Sequence, residues 1–450
     1  MIGGGTVRLD LDNIQGVVVR GYRMPVASYT FVQLADPASA RRWVGEVSAQ
    51  VTTAAPWEAK PDSTVNLAFS AAGLRALGLP ESVVGSFSTA FQEGMAARAA
   101  LLGDRGVSDP TQWTGGLGTN QVHAVVWLAA LDPEHLAART EWLERTFGAG
   151  DLTVVSRQEG GFLPGAVEHF GFTDGFSQPD MEGLESGPRT GQGALIGKDQ
   201  WRPVRAGEFV LGYPDEEGIL PDAPQPDDLA HNGSYFVYRK LRQDVTAFRR
   251  MLSDASSVYP GGEEMLAAKL VGRWRDGTPL DVSPDHPDAD LVADPNRNNA
   301  FSYEEDPQGF RCPIGAHIRR ANPRASLPFE GKLVNRHRLV RRGVPYGTAL
   351  PPGAPDDGAE RGVIFSCFQA DIERQFEFIQ SQWLNDGNAF GLGDDKDALI
   401  GDHDGTGKMT VHGAPPVFVH PLIRSVTVAG GEYFFAPGIN GLRYLSGFAG

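Results

Sequence analysis

Val122-His-Ala-Val-Val-Trp-Leu128, followed by Asp132-Pro133 and an apolar stripe at Leu136, Leu143 and Phe147, is the stretch that decides the fold. Its β-branched and aromatic run reads as a buried strand. Asp at an N-cap with Pro at the first helical position then starts a helix, because the carboxylate accepts a free amide and proline wastes no donor. The unit recurs three times. Tyr29-Thr-Phe-Val-Gln-Leu34 precedes Asp36-Pro37 and a helix face through Trp43, Val44 and Val47. Tyr235-Phe-Val-Tyr238 precedes Asp244 and Val245, Phe248, Met251 and Leu252. Val363-Ile-Phe-Ser-Cys-Phe368 precedes Asp371 and Ile372, Phe376, Ile379 and Trp383. Spacings of three and four place such residues on one side of a helix. Two units in each half predict a duplicated α+β fold of two ferredoxin-like domains, with helices covering mainly antiparallel sheets. The segment 213–233, YPDEEGILPDAPQPDDLAHNG, is rich in Pro, Asp and Gly and lacks periodicity, so the division is expected near it, at 1–215 and 216–450. Long loops at 284–299 and 345–360 are candidates for binding or covering segments.

A chain of 450 residues suits two domains of about 200 residues each. Hydrophobic residues at 41% and charged residues at 21% are ordinary for a soluble protein, and no apolar run approaches the ~18 residues of a membrane span. The start, MIGGGTVRLD, has no basic segment followed by an apolar one, which leads us to expect a cytoplasmic protein. A net charge of −16 disfavours nucleic acid and anionic membranes, which bind positive surfaces. Cys312 and Cys367 cannot form a disulfide framework and lack zinc or iron–sulfur spacing, so they are expected to be buried, inert thiols.

Charge is unevenly spread. From His317 to Arg342 there are eight Lys or Arg (Arg319, Arg320, Arg324, Lys332, Arg336, Arg338, Arg341, Arg342) against one acid, Glu330. Such a run is usually a solvated face. Here it surrounds a histidine in Cys312-Pro-Ile-Gly-Ala-His317-Ile-Arg-Arg-Ala-Asn-Pro-Arg324, and a small anionic ligand explains the pattern better. Haem asks for an imidazole for its iron and basic side chains for its propionates, which this segment offers. A second local signature is Gly171-Phe-Thr-Asp174-Gly175-Phe-Ser-Gln-Pro179. Glycines around an aspartate commonly make a simple turn. The flanks Phe172 and Phe176 predict that this one is buried, where a carboxylate needs a partner or a task. Phosphate-loop and dinucleotide patterns are not met; Gly405-Thr-Gly-Lys408 lacks the required earlier glycine.

Four motifs together, Gly171-x-x-Asp174-Gly175, His317-Ile-Arg-x-Ala-Asn-Pro-Arg324, Arg341-Arg342-Gly-x-Pro-Tyr-Gly347 and Gly362-Val-Ile-Phe365-x-Cys-Phe-Gln369, resemble those of the dye-decolourising peroxidases in order and spacing. The resemblance covers the chain from about residue 170 to 385, and its length is similar to that of the larger members. It implies an oxidoreductase with haem b held between sheet and helices, mainly in the C-terminal half. The oxidant would be hydrogen peroxide and the reductant a dye, a phenol or another one-electron donor. By the same resemblance His317 is the proximal iron ligand, Asp174 the distal acid–base residue and Arg341 the distal arginine, with Arg338 and Arg342 as alternatives. Val363 and Phe365 form an apolar roof, although a leucine-like residue is commoner in the family where Val363 stands. Arg324 and Asn322 lie on the propionate side, and Asp397 accepts the second N–H of His317. Trp383 is the candidate relay to bulky dyes, against its plainer reading as core.

Other readings remain at this point. The same architecture could serve another haem enzyme, or a non-catalytic haem carrier or sensor in which Asp174 only shapes a turn. A hydrolase using Asp174 with Glu182 would require a fixed carboxylate separation of ~5 or ~6.5–9.5 Å. A homo-oligomer is compatible with the sequence, and no obvious tail peptide after Phe448-Ala-Gly450 points to enclosure by a capsule or partner.

Overall fold

Asp36, Asp132, Asp244 and Asp371 each accept the backbone N–H three residues on, from Ser39 (2.7 Å), His135 (2.9 Å), Ala247 (2.8 Å) and Arg374 (2.8 Å). All four units therefore turn into their helices where the caps predict. The computed structural model describes residues 7–184, 189–197 and 200–447; the beginning of the N-terminal stretch and Phe448-Ala-Gly450 lie outside the described residues. In the first half, β1 (Val26–Leu34), α1 (Pro37–Ser48), β2 (Ser63–Phe69), β3 (Ala124–Ala130), α2 (Pro133–Gly150) and β4 (Leu152–Gly161) follow one another. In the second half come β5 (Ser234–Gln243), α3 (Val245–Ser256), the broken strand β6 (Val340–Arg341) and β7 (Val344–Tyr346), β8 (Gly362–Gln369) and β9 (Val426–Ala436).

All nine strands share one antiparallel sheet in the order β4-β1-β3-β2-β9-β5-β8-β6, with β7 also on β8. Each half thus repeats the same order, fourth strand, first, third, second, as a ferredoxin-like α+β unit does. The halves join where β2 meets β9 through one register pair, Phe69 with Phe435. At the far ends the sheet curls back on itself. A side chain at Gly160 on β4 would come within 2.8 Å of Val344 Cγ1 and 3.1 Å of the Pro345 carbonyl, so glycine is what lets β4 approach β7.

Because side chains alternate along a strand, one face of every strand fills the barrel interior. Tyr29, Phe31, Trp127, Phe236, Tyr238, Ile364, Phe368 and Phe434 meet there, with Tyr29–Trp127 and Phe236–Phe368 centroids both 4.9 Å apart. On the other face, α1 and α2 pack directly on the first half through Trp43, Val44, Val47 and Leu143. The second half differs: Leu241, Val363, Phe365, Val426 and Val428 face a cavity that separates sheet from helices. The fourth predicted helix, Ile372–Glu377 and Ile379–Leu384, has π-type hydrogen bonding rather than the α-type its spacing predicts. Phe376, Ile379, Gln380, Trp383 and Leu384 on this segment line the cavity. Cys312 and Cys367 are free and buried, as expected, and burial pushes the Cys312 thiol up to about 12. No helix among the described residues is long and apolar enough to cross a membrane.

On β9, Glu432 is 5% exposed, and Oε1 accepts the N–H groups of Met95 (3.2 Å) and Tyr433 (2.9 Å). Burial nevertheless raises its carboxyl from 4.5 to about 7. A raised folded-state value means that its contribution to stability is complete below the unfolded value and is lost as pH rises through the folded one. Glu432→Gln is therefore expected to flatten the fall in thermal midpoint between pH 4.5 and 7. An unaltered slope would assign that fall to other groups.

Candidate active site

His317 opens a short helix, His317–Ala321, on the helical side of the cavity. Its Nδ1 lies 2.9 Å from Asp397 Oδ2. Asp397 is fully buried, and its other oxygen accepts the N–H groups of Leu399 (3.0 Å) and Ile400 (2.9 Å). Burial opposes charge on both partners, yet each stabilises the other: His317 ends above its ordinary value and Asp397 below. A carboxylate at Nδ1 fixes the proton there and leaves Nε2 as the nitrogen available to a ligand. The next two arginines build the frame rather than the cavity wall. Arg320 donates to the carbonyls of Trp383, Asp386 and Asp395, each at 2.7 Å, and so ties this helix to the segment that ends in Asp397. Arg319 holds the Cys312 carbonyl (2.7 Å) and pairs with Asp306 (3.2 Å).

Asp174 lines the same cavity from the other side, and Oδ1 accepts the Gly175 N–H at 2.6 Å. Contrary to the sequence expectation, the turn is not buried: Asp174 and Gly175 are exposed, while Phe172 is buried beneath them. The aromatic flanks anchor a turn whose tip faces open space. Arg341, at the break between β6 and β7, donates from Nη2 to the Ser177 carbonyl (2.9 Å) and lines the cavity beside Asp174. Of its alternatives, Arg342 is turned away, onto the carbonyls of Val17 (2.8 Å) and Val18 (3.3 Å). Arg338 does line the cavity, bonded to the Gln192 and Gly193 carbonyls at 2.9 and 3.2 Å. Val363 and Phe365 project from β8 on the cavity side, with Leu241 and Arg239 opposite them on β5. Glu182 lies outside the lining and pairs with Arg205 at 3.1 Å, so Asp174 and Glu182 form no carboxylate pair.

The cavity holds about 360 Å³ and carries an excess of positive charge on one rim. Arg324 bonds the Asn299 (2.9 Å) and Phe301 (2.5 Å) carbonyls and lies 3.9 Å over the Phe301 ring. Among the described residues, none of Arg324, Arg338 and Arg341 has a carboxylate ion partner. Burial and the two neighbouring arginines push Arg338 down to about 9. Asn322 Oδ1 is buried without a hydrogen-bond partner. The basic run is therefore no solvated face. Trp383 is 6% exposed and packs with Val334, Ile379 and Leu384, edge-on to His337 at 5.0 Å, which is the core reading. Sequence reasoning missed Glu168, Gln243 and His337, which also line the cavity. Gln243 was within reach, since it shares the period-2 face of Leu241.

Residues 13–164 match the family model for a DyP dimeric alpha+beta barrel domain, and residues 215–400 that for the Dyp-type peroxidase C-terminal domain. The chain belongs to the dye-decolourising peroxidase family. A dye-decolorizing peroxidase of Mycena epipterygia is 32% identical, over 97% of this chain and 87% of that protein. A solved ancestral D-type dye-decolorizing peroxidase superposes with a TM-score of 0.83 at 31% identity, covering 97% of this chain and 99% of the other. A dye-decolorizing peroxidase solved in complex with 2,6-dimethoxyphenol gives 0.83 at 30%, covering 98% and 99%. This chain is accordingly a peroxidase, and dye-decolourising peroxidases are haem enzymes. Its residues fit that group on two counts: an imidazole with its Nδ1 already engaged, and buried guanidiniums that lack carboxylate partners among the described residues.

Carboxylates that orient a metal-binding histidine commonly contribute about 10–100-fold to affinity. Asp397→Asn is expected to fold and to bind haem weaker by about that factor, whereas His317→Ala loses most of it, as read by absorbance titration of haem into the haem-free protein. Unchanged affinity in both variants would exclude His317 as the ligand.

Proposed function

We propose that the protein holds haem b on His317, cleaves hydrogen peroxide with Asp174 and Arg341, and oxidises phenols, dyes or other one-electron donors. The observation that carries this reading is the placing of His317, with its Asp397 partner, and of Asp174 and Arg341 around one cavity. When bound, haem supplies the iron at which peroxide is reduced and from which donors are oxidised. Everything else is done by the chain. His317 offers Nε2 while Asp397 keeps the proton on Nδ1. Arg324, Arg338 and Asn322 hold the propionate edge, where buried positive charge otherwise has no partner. The Asp174 carboxylate takes a proton from one peroxide oxygen and returns it to the other. The Arg341 guanidinium, oriented by the Ser177 carbonyl, stabilises negative charge on the departing oxygen. Val363 and Phe365 admit a small oxidant and keep bulk solvent away. A phenolic donor is supported by the relative solved with 2,6-dimethoxyphenol. The same reading assigns 1–215 to a domain carrying the Asp174 turn and 216–450 to the haem-binding domain, supported by the repeat of strand order in each half.

Asp174→Asn and Arg341→Leu are both expected to retain haem. In stopped-flow measurements the first should slow peroxide consumption by ~10²–10⁴-fold, the usual worth of acid–base catalysis. The second should slow it by ~10²–10³-fold, the worth of one preorganised electrostatic group. If both variants consume peroxide at the wild-type rate, the mechanism is wrong and a haem carrier or sensor becomes the better reading.

A further inference from the structure

The turn that carries Asp174 is held by a carboxylate outside it. Glu168 folds back so that Oε2 accepts the N–H of Phe170 and Oε1 that of Phe172, both at 3.0 Å. Its own N–H donates to the Phe172 carbonyl (2.9 Å), and its carbonyl accepts the Gly171 N–H (2.8 Å). Oε2 also accepts Nε2 of Gln243, the last residue of β5, at 2.6 Å, which fastens the turn to the sheet. Arg275 grips the same segment. Its guanidinium donates to the Phe170 carbonyl and lies 4.9 Å over the Phe172 ring, and its carbonyl accepts the Thr173 N–H at 2.8 Å. Beyond Asp174, Asn299 Nδ2 donates to the Phe176 carbonyl at 2.8 Å.

Phe170 and Phe172 are buried, so their amides cannot turn to water and must be met from within the protein. Glu168 is half-buried, and its hydrogen-bonding capacity goes to two amides of the turn and one anchor on the sheet. Glu168 also lines the cavity; burial, together with the nearby charge of Asp174, raises its carboxyl against the pull of these three bonds.

We infer that Glu168 is a positioning residue for Asp174: by bonding the Phe170 and Phe172 amides and Gln243 it fixes where the Asp174 carboxylate meets peroxide. This rests on the reading of Asp174 as the proton-transferring group. Displacement of a catalytic group by about 1 Å can cost ~10²-fold in rate, so loss of the clamp acts on peroxide cleavage and not on the later oxidation of donors.

The test is a double-mutant cycle on the haem-loaded protein with Glu168→Ala, Glu168→Gln and Asp174→Asn, reading peroxide consumption by stopped flow and donor oxidation separately. Glu168→Ala is expected to slow peroxide consumption by about 10–100-fold. Glu168→Gln, which keeps one acceptor oxygen, should recover part of that loss, and neither should change the donor step. In the Asp174→Asn background both should have less than about twofold effect, since nothing remains to be positioned. Amide exchange in the haem-free protein gives a readout independent of activity: Phe170 and Phe172 should exchange faster in both variants. If Glu168→Ala fails to fold, the glutamine variant carries the cycle. Equal slowing in both Asp174 backgrounds, or wild-type exchange at the two amides, overturns the positioning role alone. A wild-type rate for Asp174→Asn by itself overturns that role together with the reading on which it rests.

Discussion

A carboxylate with no access to water stays charged only if donors on both oxygens compensate it, and Asp397 has one imidazole on one oxygen and two amides on the other. Much of the second half can be read as the means of delivering it there. Asp397 lies eighty residues beyond His317, so the two must be brought together by tertiary structure. Arg320 does so, because its three bonds to the carbonyls of Trp383, Asp386 and Asp395 make the histidine helix and the Asp397 segment one piece. The Asp397 carbonyl in turn meets Nε2 of His403 at 2.7 Å, which fixes the following loop.

The sheet side contributes by alternation. Ile364 and Phe368 point into the barrel and are buried in its core, so Val363 and Phe365 have no freedom in which direction to face. A strand rigid on one face can present a cavity on the other without collapsing into it. Across the space from the strand, the π-type segment lines the cavity with Phe376, Ile379, Gln380, Trp383 and Leu384.

What could be read from the sequence follows from where the signals come from. The four strand-and-helix units were legible because cap, proline and periodicity are local, and because an Asp three residues before its target amide needs no tertiary information. β4 was silent: as an edge strand it carries Thr153, Ser156, Arg157, Gln158 and Glu159, and none of its residues is buried. β9 was hidden by Gly430-Gly431 in its middle, where Leu117 and Met95 press against the backbone and exclude a side chain. Asp174 was found but misjudged as buried, since aromatic neighbours reveal anchoring and not which way a turn tip points. Glu168 gave no signal at all, because a carboxylate bonding main-chain amides matches no spacing rule.

The seam between the halves has a mechanical meaning. Each half is laced by seven or more consecutive backbone pairings per strand pair at its centre, yet within the sheet the midline is crossed by the single register pair Phe69–Phe435. Side chains add to this, with Phe87 and Phe91 against Tyr235 and Phe435 on the helical face, and Trp127 against Phe236 and Phe31 against Phe434 in the barrel. Hydrogen bonds are stiff and directional, whereas packed rings can slide a little before losing contact. The sheet is thus laced tightly within each half and held at its midline mainly by packed rings, the one place along it where neighbouring strands are not stapled along their length.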